Sequence, residues 1–307
     1  MINFIGIGAQ KAGTSWLHQA LGENPHIALL PIKEVHYFDR SNKYPSPSHL
    51  DRTLSERFRS ARWVKMAVLG MWNGFKHGGL RRLIWMVKWY TADYHDAWYL
   101  SLFQNNERVQ GEITPSYAIL DEADIQKMHR LAPDARILFM IRNPIDRAWS
   151  QYRYYTRLIP DYDASNDSPE SIIEFMQRPT QELRSDYLST MRKFAGVFDA
   201  SQVLIGFYDA IYESPSELLA DVTKHIGAES SPVQNARLKN VVNRSQPMNC
   251  PEEVRAYLRD RYRSPMKELA ERVGGYCGRW YYDEFGDEIG AQKSTASPSL
   301  VLSEIEL

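Results

Sequence analysis

Close to its start the chain reads FIGIGAQKAGTSWLHQAL, an apolar run that enters a glycine-containing turn and passes at once into a helical pattern. A buried strand that feeds a helix through a tight turn needs both faces covered, and it reaches its neighbour in the sheet by a crossover. The segment therefore predicts alternating strands and helices around a parallel sheet. It also predicts a binding site, because the unpaired N–H groups and the positive dipole end of the helix meet at one point and favour an anion there. The spacing from Gly8 to Gly13 matches the two loop glycines of a Walker A motif. Gly13-Thr14-Ser15 nevertheless stands where Gly-Lys-Ser/Thr would be, and the lysine has moved inside the turn, to Lys11. A P-loop kinase places its lysine on the β- and γ-phosphates and the next hydroxyl on Mg²⁺. Without that pair the loop suits a smaller, less charged load.

The strand signal recurs in ARILFMIR and QVLIGFY, each followed by a turn and a helical pattern. Local chemistry predicts where the helices begin. Thr14 or Ser15 caps SWLHQALGEN, Asp121 caps EADIQKMHRLAPD, Asn143-Pro144 opens IDRAWSQYRYY, Ser214-Pro215 opens SELLADVTKHIG, and Pro251 opens a long helix through Val273. No internal repeat is present. The expected architecture is an α/β, P-loop-like three-layer fold with a central parallel sheet flanked by helices. It would form one domain over residues 1–285, followed by a flexible tail over 286–307.

A formal net charge of −1 argues against a nucleic-acid partner recognised by bulk charge, so any basic surface must be local. One such region exists. Residues 57–92 contain no Asp or Glu, while Arg57, Arg59, Arg62, Lys65, Lys76, Arg81, Arg82 and Lys88 alternate with Trp63, Trp72, Trp85 and Trp89. That mixture fits a helical insertion with two alternative uses: packing on the domain with its cations reaching solvent, or lying at an interface with anionic groups. The start of the chain lacks the pattern of a secretory signal and no window suits a membrane span, so a cytoplasmic protein is expected, with peripheral membrane contact through the insertion as an option. Cys250 and Cys277 are expected to be reduced thiols, with one bridge between them as the alternative, and no metal site is expected.

Two later segments complete a pattern with QKAGTSWL: KEVHYFD at Lys33 to Asp39, and RNPIDRAWSQY at Arg142 to Tyr152, directly after the strand ILFMI. Together they resemble the sulfotransferases that use 3′-phosphoadenosine 5′-phosphosulfate (PAPS), particularly the branch with the heparan sulfate N- and O-sulfotransferases and many bacterial relatives. The resemblance runs from about Asn3 to Trp280, with GEITPSY, DAWYLSLF and VNRS in similar places. It implies that the 5′-phosphosulfate lies on Lys11, Ala12, Gly13, Thr14, Ser15 and Trp16, with Lys11 beside the bridging oxygen. Arg142 and Ser150 would meet the 3′-phosphate, with Asn243 and Arg244, together with Ser245, or alternatively Arg279, as candidates for a late phosphate contact. Sulfuryl transfer needs no metal.

The resemblance also implies that Glu34 takes the proton of an acceptor hydroxyl or amine, burial beside the co-substrate raising its pKa toward neutrality. His36, two residues on along an extended segment, faces the same side and is the rival base. Lys33 would assist from the acceptor side, Glu112 would support the site and Tyr117 would line it. Ile113 departs from the pattern: the heparan-modifying relatives usually carry lysine there, which argues against a glycosaminoglycan acceptor. A glycolipid, another carbohydrate or an apolar metabolite remain as acceptors, and a kinase-like ATP-dependent phosphotransferase remains as the alternative activity.

Overall fold

A computed structural model describes residues 1–45, 50, 52–103, 108–231, 249–287 and 296–307. Its centre is a six-stranded sheet: β1 (Phe4–Gly8), β2 (Ile27–Leu29), β3 (Val109–Ile113), β4 (Arg136–Ile141), β5 (Val203–Phe207) and β6 (Ser299–Val301), in the order β2-β3-β1-β4-β5-β6. The first five strands pair in parallel and β6 runs antiparallel to β5. Every residue of β1 and β5 is buried, as continuous apolar runs covered by helices on both faces require. The fold is thus the expected α/β class. The strands β2 and β3 were not among the runs picked out by apolarity, since IAL is short and VQGEI carries two polar residues.

Most helix starts fall where cap chemistry places them. The side chain of Asp121 accepts from Asp124 N–H, and that of Asn143 accepts from Ile145 and Asp146 N–H. Pro215 opens the helix Pro215–His225, and Pro251 precedes Glu252–Val273. The helix Thr14–Gly22 is the exception: neither Thr14 nor Ser15 caps it, the N-cap is Gly13 in the left-handed region, and it has no side-chain cap hydrogen bond.

The tail expected to be flexible is anchored at its far end. Ser299–Val301 pairs with β5, and Leu302 and Ile305 beyond it are buried, so these side chains contribute to the core. Cys250 and Cys277 are both free thiols.

The basic, Trp-rich region forms the helices Leu54–Arg59 and Ala61–Thr91, the latter broken at Gly79, where φ is 62°. Trp63, Ala67, Met86 and Trp89 face inward. Arg57 is buried and donates to Ala92 O at 2.7 Å, its guanidinium lying 3.9 Å from the Tyr94 ring centroid. The outer face carries Val68, Trp72, Phe75, Leu80 and Ile84, each at least half exposed. The region thus packs an aromatic inner face on the domain and leaves an apolar, cationic outer face exposed. Among the described residues no helix is long and apolar enough to cross a membrane.

Candidate active site

Neighbouring parallel strands bring the segments that follow them to one edge of the sheet, and β1, at the centre, has β3 on one side and β4 on the other. Ligand crevices in open α/β sheets form at such a carboxyl edge. Lys11 lies three residues beyond β1, Arg142 one beyond β4 and Tyr208 one beyond β5. Arg142 Nη1 donates to Lys11 O at 3.4 Å and its guanidinium sits 4.3 Å from the Tyr208 ring centroid, so the three loops interlock. Around them opens a cleft of about 940 Å³, lined by Lys11, Gly13, Thr14, Ser15 and Trp16, by Lys33, Glu34 and His36, and by Arg142 and Ser150. Residues 131 positions apart thus share one wall system, as the three separated motifs require.

The loop presents an open anion cradle. Gly13, with φ 89°, turns the chain where a Cβ would stand 2.3 Å from Ile211 Cδ1, so only glycine fits without displacement. The absence of a capping side chain leaves the first-turn N–H groups of the helix unmatched by side chains. Lys11, also left-handed at φ 70°, lays its ammonium 4.1 Å from the Tyr154 ring centroid. Burial, then the charges of Arg142, Arg157 and Lys33, lowers its pKa to about 8. A lysine held this way gains most when an anion arrives.

The opposite wall is the segment after β2. Glu34 and His36 both have positive φ, 63° and 57°. Backbone strain of this kind persists only where surrounding contacts enforce it, and here they do. Val35 N–H donates to Thr114 Oγ1 (2.9 Å), and Tyr37 N–H donates to the Tyr117 hydroxyl (2.9 Å). Thr114, Tyr117 and Tyr99 in turn donate to the buried Glu112 carboxylate. Glu112 supports the site through this network. Tyr117 is fully buried and supports the segment from behind instead of lining the cleft. Ile113 is buried against Gly6, so its identity does not set the charge of the cleft wall.

Lys33 joins the two walls: its ammonium donates to Ser15 Oγ at 2.9 Å and lies 3.1 Å from Glu34 Oε1. Glu34 Oε2 lies 3.7 Å from His36 Nε2, and His36 Nδ1 lies 2.8 Å from Asp39 Oδ2 and 3.2 Å from Ser116 Oγ. Burial alone would lower the His36 pKa, but the hydrogen bonds with Asp39 and Glu34 reverse this and raise it to about 9. The expected upward shift of Glu34 does not occur: burial pushes up, but His36 and Lys33 outweigh it and hold the carboxyl below its ordinary value. At neutral pH the pair is therefore a carboxylate facing an imidazolium. An imidazolium has no lone pair for a proton, while the carboxylate does.

Two expected contacts, Ala12 and Arg279, are not part of the cleft lining. Ala12 is fully buried beneath the loop and outside the cleft lining, its N–H bonded to Ala9 O. Asn243, Arg244 and Ser245 lie outside the described residues. Arg279 is engaged elsewhere, with Glu213 at 2.8 Å and Asp209 at 3.2 Å.

A model of the sulfotransferase family matches residues 4–232. The chain belongs to that family. Among named relatives it is 38% identical to the human heparan sulfate glucosamine 3-O-sulfotransferase 6 over 58 residues, 18% of this chain and 17% of that protein. It is 24% identical to the rat carbohydrate sulfotransferase 15 over 187 residues, 57% of this chain and 30% of that protein. The chain thus spans less than a third of either relative. Among solved structures, a sulfotransferase from Alicyclobacillus acidocaldarius superposes with a TM-score of 0.56 at 24% identity, covering 88% of this chain and 94% of that one. That likeness supports the fold. Family membership disfavours the kinase-like alternative.

Sequence reasoning missed several groups in or behind this cleft. Tyr208 carried a usable signal, as the residue after a buried strand. Asp39 was visible as the last residue of KEVHYFD, three positions beyond His36, but its full burial was not. Arg184, from the segment after the helix Pro179–Leu183, carried no signal at all.

Proposed function

We propose that the protein transfers the sulfuryl group of PAPS to an acceptor hydroxyl, as a single sulfotransferase domain carrying a helical insertion. The observation that carries this reading is the placement of the uncapped Lys11–Ser15 loop and the Glu34 carboxylate on facing walls of one cleft, tied together by Lys33. Glu34 takes the acceptor proton as the acceptor oxygen bonds to sulfur. The bond from sulfur to the bridging phosphate oxygen breaks, and its electron pair leaves with that oxygen. Lys11 then faces the new negative charge, where a fixed ammonium contributes most in the transition state. Arg142 and Ser150 hold the 3′-phosphate. His36, kept protonated by Asp39, fixes the Glu34 carboxylate and does not act as the base. Titration with adenosine 3′,5′-bisphosphate (PAP) against Mg·ATP tests the donor assignment: metal-independent PAP binding is expected, and preference for Mg·ATP refutes it.

The acceptor reading is an amphipathic molecule, a glycolipid being the chemical type, met at an anionic lipid surface. Its support is the insertion's outer face, where half-exposed Trp72, Phe75 and Leu80 stand beside exposed Arg62, Lys65, Lys76 and Arg81. Apolar rings among unopposed cations complement anionic headgroups. No residue of the insertion lines the cleft, so its part is docking and not acceptor recognition. Flotation with phosphatidylserine-containing liposomes, and its loss on Trp72→Ser with Phe75→Ser, is the expected result. Equal recovery with neutral vesicles, or a dimer that conceals this face, refutes it.

A further inference from the structure

The cleft holds more positive charge than its proposed donor requires. Lys11, Lys33, Arg142, Arg157, Arg178 and Arg184 line it, and Glu34 is the one carboxylate among the described lining residues. PAPS brings about four negative charges through its phosphosulfate and 3′-phosphate. Lys33 is already paired with Glu34, and Lys11, Arg142 and Arg157 are close enough to repel one another, which groups them around the donor. Arg178 and Arg184 stand apart from that group, at the two ends of the helix Pro179–Leu183.

Arg184 is half-buried, and its Nε is buried without a hydrogen-bond partner. Its charged neighbours are Arg147, which repels it, and Asp39, which attracts it and also pairs with His36 at 2.8 Å. Burial, with Arg147 second, lowers the Arg184 pKa to about 10. Arg178 forms no ion pair among the described residues. It is held at the rim by two rings, 4.6 Å from the Phe175 centroid and 5.3 Å from that of Tyr155. A second orphaned polar atom, the buried Oε1 of Gln151, belongs to another residue of the same lining. Buried polar groups ordinarily find partners, and a half-buried guanidinium whose Nε donates to nothing among the described residues is costly in the empty cleft. A guanidinium fork matches a carboxylate, sulfate or phosphate.

We propose that Arg184 and Arg178 form an anion-recognition subsite on the acceptor side of the cleft, so that the acceptor carries an anionic group in addition to the hydroxyl that receives the sulfuryl group. This rests on the donor assignment above and deepens it. The amphipathic acceptor becomes an acidic one, and the Glu34 end of the cleft is where its hydroxyl lies.

The test uses the full chain saturated with PAP, which fills the donor half, and two probes that differ in one group, octyl β-D-glucuronide and octyl β-D-glucoside. Calorimetry is expected to show the glucuronide binding at least about tenfold more tightly, with a preference that falls as salt rises. Arg184→Gln and, separately, the exposed Arg178→Gln should each reduce that preference while leaving PAP affinity within about twofold. The Arg178 variant guards against a folding defect at the half-buried site. A glucuronide no tighter than the glucoside overturns the subsite, whether both bind or neither does. So does a loss of PAP affinity in either variant, since that makes these arginines donor contacts. Failure of PAP to bind the unmodified protein removes the donor reading itself and this inference with it.

Discussion

Lys11 gives the sharpest quantitative handle on the site. Its pKa in the empty cleft is lowered to about 8 by burial first and then by Arg142, Arg157 and Lys33. An arriving phosphate replaces like-charge repulsion with attraction and returns the group to its cationic form, so binding above pH 8 must take up a proton. The sign follows from linkage: the bound state holds more protons than the free state, and affinity therefore falls as pH rises through the free-state value. At pH 9 a group of pKa about 8 is about nine-tenths neutral, and the expected weakening of PAP binding from pH 7 to pH 9 is about tenfold, or ~1.4 kcal/mol. The phosphates contribute little over this window, their second ionisation lying near pH 6. Calorimetry at pH 9 in two buffers of different ionisation enthalpy should register uptake of about 0.9 proton. Lys11→Met should bind PAP more weakly and lose most of the pH dependence, while Lys11→Arg should retain affinity without titrating. An affinity constant within about twofold between pH 7 and pH 9, or an unchanged slope in Lys11→Met, refutes the placement of Lys11 against the donor.

Glu34→Gln is expected to lower turnover by about 10²–10⁴-fold, the range for a lost general base, and to leave PAP affinity unchanged, whereas Arg142→Ala should mainly weaken PAP; single-turnover assays with labelled PAPS separate the two, and the reverse pattern overturns the assignment. His36 is expected to titrate near pH 9 by NMR and to move down toward about 6.5 in Asp39→Asn. Because the folded value is raised, the stabilisation from its charge is complete below the unfolded pKa and is lost as pH rises through about 9. Glu284→Ala should lower unfolding free energy by about 2–3 kcal/mol in urea, less than the ~3–5 of fully buried pairs because its arginine partners reach solvent. Glu284 is 3% exposed as a side chain and binds Arg255, Arg259 and the Asn143 side-chain amide, so the same variant should also weaken PAP by loosening the turn that carries Arg142.

What could be read in the sequence was whatever depends on a strand's carboxyl end. Lys11, Gly13 and Arg142 each lie within five residues of a buried apolar strand. Once β1 and β4 are recognised as parallel neighbours, geometry brings their following loops together without further information. The Glu34 segment was legible through its resemblance alone, since β2 is three residues long and gives no strong periodic signal. The docked end of the tail was not legible because its pairing with β5 joins residues almost a hundred positions apart. The same holds for Glu284, whose hydrogen bond to Asn143 spans 141 residues.

The charge states were least legible, and they decide the chemistry. Glu34 and His36 were both reasonable bases from spacing, and burial alone would have raised the acid and lowered the imidazole, favouring histidine as the neutral acceptor. The structure reverses both shifts through Asp39 and Lys33, one behind the histidine and one beside the acid. Asp39 is fully buried and pairs with His36 at 2.8 Å, so its charge is balanced at the ring and transmitted forward as a fixed cation beside Glu34. That cation lowers the basicity of Glu34, which slows proton removal from a free hydroxyl. It also keeps the carboxylate ionised and oriented from neutral pH up to about 9, where His36 stays charged. An early, strong base is therefore not what this cleft offers. On the proposed mechanism, proton transfer comes late, as the bond to sulfur acidifies the acceptor oxygen, and the Lys11 side, where the leaving charge would grow, carries the larger share of the barrier lowering.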